Sequence, residues 1–110
     1  MGKIAQQDSL LQLLLSLGRP SKANPAATAS IDVISSVIIN ANKKRQSLVI
    51  TNVGSYPLFI GIGQSAVANN GIYLVNNGGC WEMNYNTFST QKIFGIGIGG
   101  VTTVSIQEFE

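Results

Sequence analysis

The sequence predicts an all-β protein: an antiparallel β-sandwich or jelly-roll-like domain of about seven strands, preceded by a short N-terminal α-helical arm. Three observations predict it. Apolar side chains recur at every second position in several short runs (Leu48 and Ile50; Leu58, Ile60 and Ile62; Phe94, Ile96 and Ile98; Val104 and Ile106), the period of a half-buried strand. Clusters of Asn, Gly and Ser separate the runs, which is turn chemistry. The one leucine-rich segment stands apart from them, before two prolines.

Residues 1–7 are polar. Asp8 or Ser9 can cap a helix, because a short side-chain oxygen accepts from the free amides of the first turn. The predicted helix covers residues 8–17, Gly18 stops it and Pro20 prevents its resumption. Six of the eight residues from 10 to 17 are leucine: Leu10, Leu11, Leu13, Leu14, Leu15 and Leu17. Gln12 and Ser16 supply one narrow polar stripe, so such a helix must dock on something, and its leucines are candidate partner-binding residues. Residues 18–30, with Pro20 and Pro25 among small side chains, read as a linker; thirteen extended residues reach on the order of 40 Å. The chain thus divides into an arm, residues 1–30, and a β domain, residues 31–110. Within the domain, strands are expected near 31–39, 46–53, 57–62, 71–75, 80–85, 92–98 and 101–108. The second and third are expected to form an antiparallel pair across a tight turn, and the carboxylates at the chain's end, Glu108 and Glu110, to be solvated.

Composition narrows the function. Charged residues make up 11% of the chain, against about 25% in ordinary soluble domains, so much of the surface is expected to be covered by assembly. A net charge of +2 gives no case for nucleic acid. The longest apolar candidate, residues 10–17, falls far short of the ~20 residues a membrane-spanning helix needs. Lys3, the leucines and the small residues Ala27, Thr28 and Ala29 sketch a secretory leader, but Asp8 and the Gly18-Arg19-Pro20 break argue against one.

The chain contains no histidine and one cysteine, Cys80, which excludes an internal disulfide, Ser-His or Cys-His catalysis and an ordinary zinc site. Cys80 is expected as a small packed side chain at a strand start. Paired-carboxylate catalysis would rest on Asp32 and Glu82, the only two acids well inside the domain. An enzyme is therefore not expected, nor a cofactor. Residues 95–100 match G-x-G-x-x-G, but the glycines fall within a strand and its turn rather than at the start of a helix, so nucleotide binding is rejected. Gly95 and Gly97 instead leave one strand face bare for a close approach, either by a neighbouring subunit or by a facing strand. Lys43, Lys44 and Arg45 form the only basic run, read as a solvated turn or as a contact with an acidic protein surface. Trp81, Met83 and Tyr85 alternate onto one face and read as core or interface; the sharper alternative is a sugar platform made by Trp81 and Tyr85.

Arg45, Ser47, Leu48, Ile50, Asn52 and Gly54 spell R-x-S-L-x-I-x-N-x-G, followed by the 58–63 run ending in Gly61 and Gly63 and by the glycine-rich C-terminal segment. Residues 45–110 resemble, on these motifs, the small β-sandwich virion proteins of tailed bacteriophages, in which such a strand leads to a second glycine-containing strand and a terminal glycine-rich hairpin closes the chain. The resemblance implies a capsid decoration or cement subunit, a homotrimer bound to the major capsid protein on the capsid exterior. A head-fibre or tail adaptor of the same fold and a glycan-binding virion module are the alternatives. Lys43, Lys44, Arg45, Gly95 and Gly97 then join the leucines as candidate partner contacts.

Overall fold

The computed structural model describes residues 22–110; the expected helix and its leucines lie outside the described residues. Eight strands follow in order: β1 (Ala27–Ile31), β2 (Ser36–Ile39), β3 (Ser47–Asn52), β4 (Leu58–Ile62), β5 (Ile72–Leu74), β6 (Cys80–Glu82), β7 (Ile93–Gly97) and β8 (Thr102–Phe109). They form two four-stranded antiparallel sheets, ordered β1-β8-β3-β6 and β2-β7-β4-β5. Eight strands interleaved between two sheets in this way make a double-sheet jelly roll.

Two expected elements change. The predicted strand over 31–39 is two strands in different sheets. Residues 32–35 turn the chain between them, with the Asp32 carboxylate accepting from the Val33 amide at 2.6 Å. The predicted linker contributes β1. Its Ala and Ser residues have little strand preference of their own, but all five pair in register with β8, from Ala27 opposite Ile106 to Ile31 opposite Thr102. Before β1, Ala23 bridges Phe109, and Lys22 exchanges two backbone hydrogen bonds with Glu110. Pro25 falls in this edge segment just ahead of the strand, where its missing N–H is tolerated.

The pairing differs from expectation as well. β3 and β4 are not partners, and neither are β7 and β8. Only β4 and β5 are consecutive in one sheet; the other six connections cross between sheets. A tight turn between two alternating runs is compatible with a hairpin, which sets the apolar sides on one face, or with an arch, which sets them opposite one another. The chain takes the arch, so Leu48 and Ile50 of β3 and Leu58 and Ile60 of β4 meet in the interior from opposing sheets. With Ile31, Ile38, Leu74, Met83, Ile93, Val104 and Ile106 they form one buried cluster.

Asn52 holds the β3–β4 arch. Its side chain is fully buried and uses its whole hydrogen-bonding capacity. The amide donates to the carbonyls of Tyr56 at 2.8 Å and Leu74 at 3.2 Å, and its oxygen accepts from the Gly54 amide and the Thr102 hydroxyl. At another of the crossovers, between β7 and β8, Gly97 lies where a Cβ would meet the Gly100 carbonyl oxygen at 2.5 Å, and the carbonyls of Ile31 and Asp32 at 3.2 and 3.3 Å.

Candidate functional site

The two sheets present unlike outer faces. On the β1-β8-β3-β6 sheet, Thr28, Ser105, Thr51 and Cys80 form one cross-strand row, Ser30 stands opposite Thr103, and Gln107, Val49 and Glu82 form another row. That face is mostly hydroxyl and amide. On the β2-β7-β4-β5 sheet, Tyr73, Phe59 and Ile96 form one row, and Val37, Phe94 and Gly61 the next. The Phe59 and Tyr73 rings lie 5.1 Å apart. The four strands of this sheet contain no charged residue at all. Val37 is 41% and Tyr73 52% exposed, and Phe59, Phe94 and Ile96 are half-buried. At the Gly61 end the chain's own 64–66 segment packs on this face, where a Cβ would meet the Gln64 carbonyl oxygen at 2.8 Å. Apolar patches of this kind on a small protein mark contact surfaces. This face is the candidate functional site.

The site emerges from the period-2 pattern with an unexpected sign. Gly95 and Gly97 do leave a bare strip on β7, but it faces inward and the chain's own β1–β2 corner fills it. Both glycines are buried, and a Cβ at Gly95 would meet the Ile38 side chain. The expected role of Gly95 and Gly97 at a subunit interface is therefore corrected: they admit Ile31, Asp32 and Ile38. Phe94 and Ile96, on the other side of the same strand, are the outward residues. Sequence reasoning missed Val37, Phe59, Tyr73, Phe94 and Ile96 as a patch. The available signal was that β7 has no polar face, since its alternation is isoleucine and glycine against phenylalanine and isoleucine.

Arg45 is likewise withdrawn from the surface. It is 1% exposed, and its Nε donates to a Glu108 carboxylate oxygen at 2.7 Å. Its guanidinium also donates to the carbonyls of Ser89, Gln91 and Asn40 at 2.7 to 3.1 Å. One side chain thereby ties the loop after β2, the loop before β7 and the end of β8. Glu108, expected to be solvated, is buried because Arg45 needs its charge compensated. Its neighbour Glu110 is also held, by the amides of Asn42 and Asn24 and by Lys22 at 3.5 Å. Those two amides, then the lysine, lower its carboxyl below the ordinary glutamate range despite an opposing desolvation. Lys43 and Lys44 remain exposed and flank, with Lys22, an open groove of about 500 Å³ at the same end of the sandwich.

Trp81 and Tyr85 do not form a platform. β6 ends at Glu82, so the alternation stops there: Trp81 packs inward on the core, Met83 is buried, and Tyr85 is 95% exposed on the following turn. Tyr85 instead shares a groove of about 300 Å³ with Phe88, Met83, Gln46 and Asn84. Cys80 begins β6 as expected, but its thiol is exposed beside Thr51 rather than packed.

In the R-x-S-L-x-I-x-N-x-G motif, then, Arg45, Leu48, Ile50 and Asn52 are all buried parts of the framework. The motif describes how the sandwich is held, and function has to be argued from the exposed apolar sheet. The chain matches no protein-family model, no curated protein and no solved structure.

Proposed function

We propose that the protein is a non-catalytic structural subunit of a tailed-phage virion: a capsid decoration or cement protein that assembles as a homotrimer and binds the major capsid protein on the outer shell. The observation that carries the assembly part of this reading is the uncharged apolar outer face of the β2-β7-β4-β5 sheet, set against the hydroxyl-rich face of its partner sheet. A protein with one such face is built to be covered on that side. Sparse charge over the whole chain points the same way. The virion part rests on the resemblance of residues 45–110 and on the jelly-roll architecture, which builds viral capsid and lectin domains among others.

In this reading the apolar sheet packs between copies around a symmetry axis. The polar sheet and the Lys22, Lys43 and Lys44 rim are left for the shell, with Lys43 and Lys44 meeting acidic groups of the coat protein. Arg45 plays its part indirectly, by fixing the loop that carries those lysines. A head-fibre or tail adaptor would use the same trimer at a different address. The exposed Tyr85 and Phe88, with the amides of Gln46 and Asn84 around them, support a glycan-binding module as the second reading.

The test is to mix the purified protein with decoration-free expanded heads of the encoding phage, sediment them and count the bound copies. The proposal expects saturation at a fixed number per coat subunit, together with heads that withstand higher temperature. Soluble trimers that leave the heads bare would refute the cement assignment. Glycan binding lost on Tyr85→Ala would then favour the second reading.

A further inference from the structure

We infer that the occupant of the apolar sheet is the leucine-rich segment, residues 10–17, of a neighbouring copy, so that the subunits are joined by exchanged arms. The inference rests on reading that sheet as an assembly face, and it is independent of the virion assignment.

Three observations support it. The first is chemical complementarity. The segment offers six leucines in eight residues, and the sheet offers Val37, Phe59, Tyr73, Phe94 and Ile96 with no charge on any of its strands. The second is size. As the helix its sequence predicts, residues 8–17 are about 15 Å long, and the five-residue strands β4 and β7 are about 17 Å long. Two or three helical turns laid over the sheet would cover the Tyr73, Phe59 and Ile96 row and reach Val37 and Phe94, up to the 64–66 segment that already packs on Gly61.

The third observation decides whose arm it is. The chain is pinned at Lys22 by its two backbone hydrogen bonds to Glu110, on the β1 edge of the opposite sheet. Sheets in a sandwich lie about 10 Å apart, and a helix of 10–12 Å diameter rests with its axis nearly as far beyond the second sheet. The straight distance from Lys22 to such an axis is therefore about 20 Å. The path must also round the β2 edge before it reaches Phe94 and Phe59. From Leu17 to Lys22 the chain supplies five residues, about 17–18 Å at full extension. On these lengths the same chain's arm falls short of this face, and a neighbouring copy's arm is the one that fits it. An arm passed from each copy to the next is a head-to-tail contact, which closes as a ring where the rotation between copies allows it and otherwise runs on as a filament.

Cross-linking of the full-length chain tests this. In a Cys80→Ser background, one variant carries Leu14→Cys and a second carries Ile96→Cys. Mixed, exchanged and mildly oxidised, the two are expected to give a covalent heterodimer that neither gives alone. A chain carrying both cysteines is expected to form disulfide-linked multimers. Purely intrachain closure of that doubly substituted chain at every protein concentration would place the arm on its own subunit and overturn the inference. Native multimers without any Leu14–Ile96 cross-link would overturn it too, while leaving the assembly reading standing. Monomers without a cross-link would end both. As a second probe, Leu14→Asp in the otherwise unchanged chain is expected to raise amide exchange in β4 and β7 and to lower the native mass. Unchanged mass and exchange would count against the arm.

Discussion

Arg45→Ala is expected to lower the melting temperature by on the order of 15–30 °C. The substitution strands Glu108 in a buried site and takes donors from three loop carbonyls at once. Removing one partner of a buried ion pair costs about 3–5 kcal/mol, and a domain of this size loses roughly 4–8 °C for each kcal/mol. The penalty comes chiefly from the uncompensated carboxylate, so Arg45→Met combined with Glu108→Leu is expected to recover part of it. Thermal unfolding of the two variants beside the parent checks both statements. A fall of only a few degrees for Arg45→Ala would show that Arg45 and Glu108 are not bound to one another in solution.

Gly97→Val is expected to cost about 3 kcal/mol or more, at or beyond the upper end for added bulk in a packed interior. The obstruction is backbone: the Gly100 carbonyl oxygen 2.5 Å from the new Cβ, with two further carbonyls just beyond. The Gly97 amide also donates to the Asp32 carbonyl at 2.7 Å, so the strand cannot slide away without breaking that bond. Gly95→Ala meets side chains instead, the Cδ1 end of Ile38 at 2.8 Å and the Ile31 Cγ2 at 3.2 Å, and is expected to cost less, about 1–2 kcal/mol. Denaturant unfolding of the pair measures the contrast. Equal effects at the two positions would mean that the β1–β2 corner does not sit where it is described.

Most strands of the domain were legible as strands, because alternation and turn residues are local signals. What connects to what was not. Leu48 and Ile50, then Leu58 and Ile60, carry the same period-2 pattern whether the turn between them is a hairpin or an arch, and what holds the arch here is a buried amide, Asn52, reaching Leu74 and Thr102. β1 was invisible because Ala27, Thr28 and Ala29 become strand only by pairing with β8, some eighty residues away. The ion pair joins residues 63 apart, and charge counting placed both on the surface. The exposed face was hidden for a related reason. A strand apolar on both sides does not say which side is the core, and glycines on the inner side of β7 made it look like the empty one.

The assembly role of the β2-β7-β4-β5 sheet is the central claim, and sedimentation equilibrium of the parent beside Phe94→Lys tests it most directly. Phe94 lies on the outer side of a central strand, away from the buried cluster, so the variant is expected to keep its fold and its far-ultraviolet circular dichroism. The parent is expected to sediment as three 11.6 kDa chains and the lysine variant as one. A folded variant with the parent's mass, or a parent that is itself monomeric up to high concentration, would contradict the account.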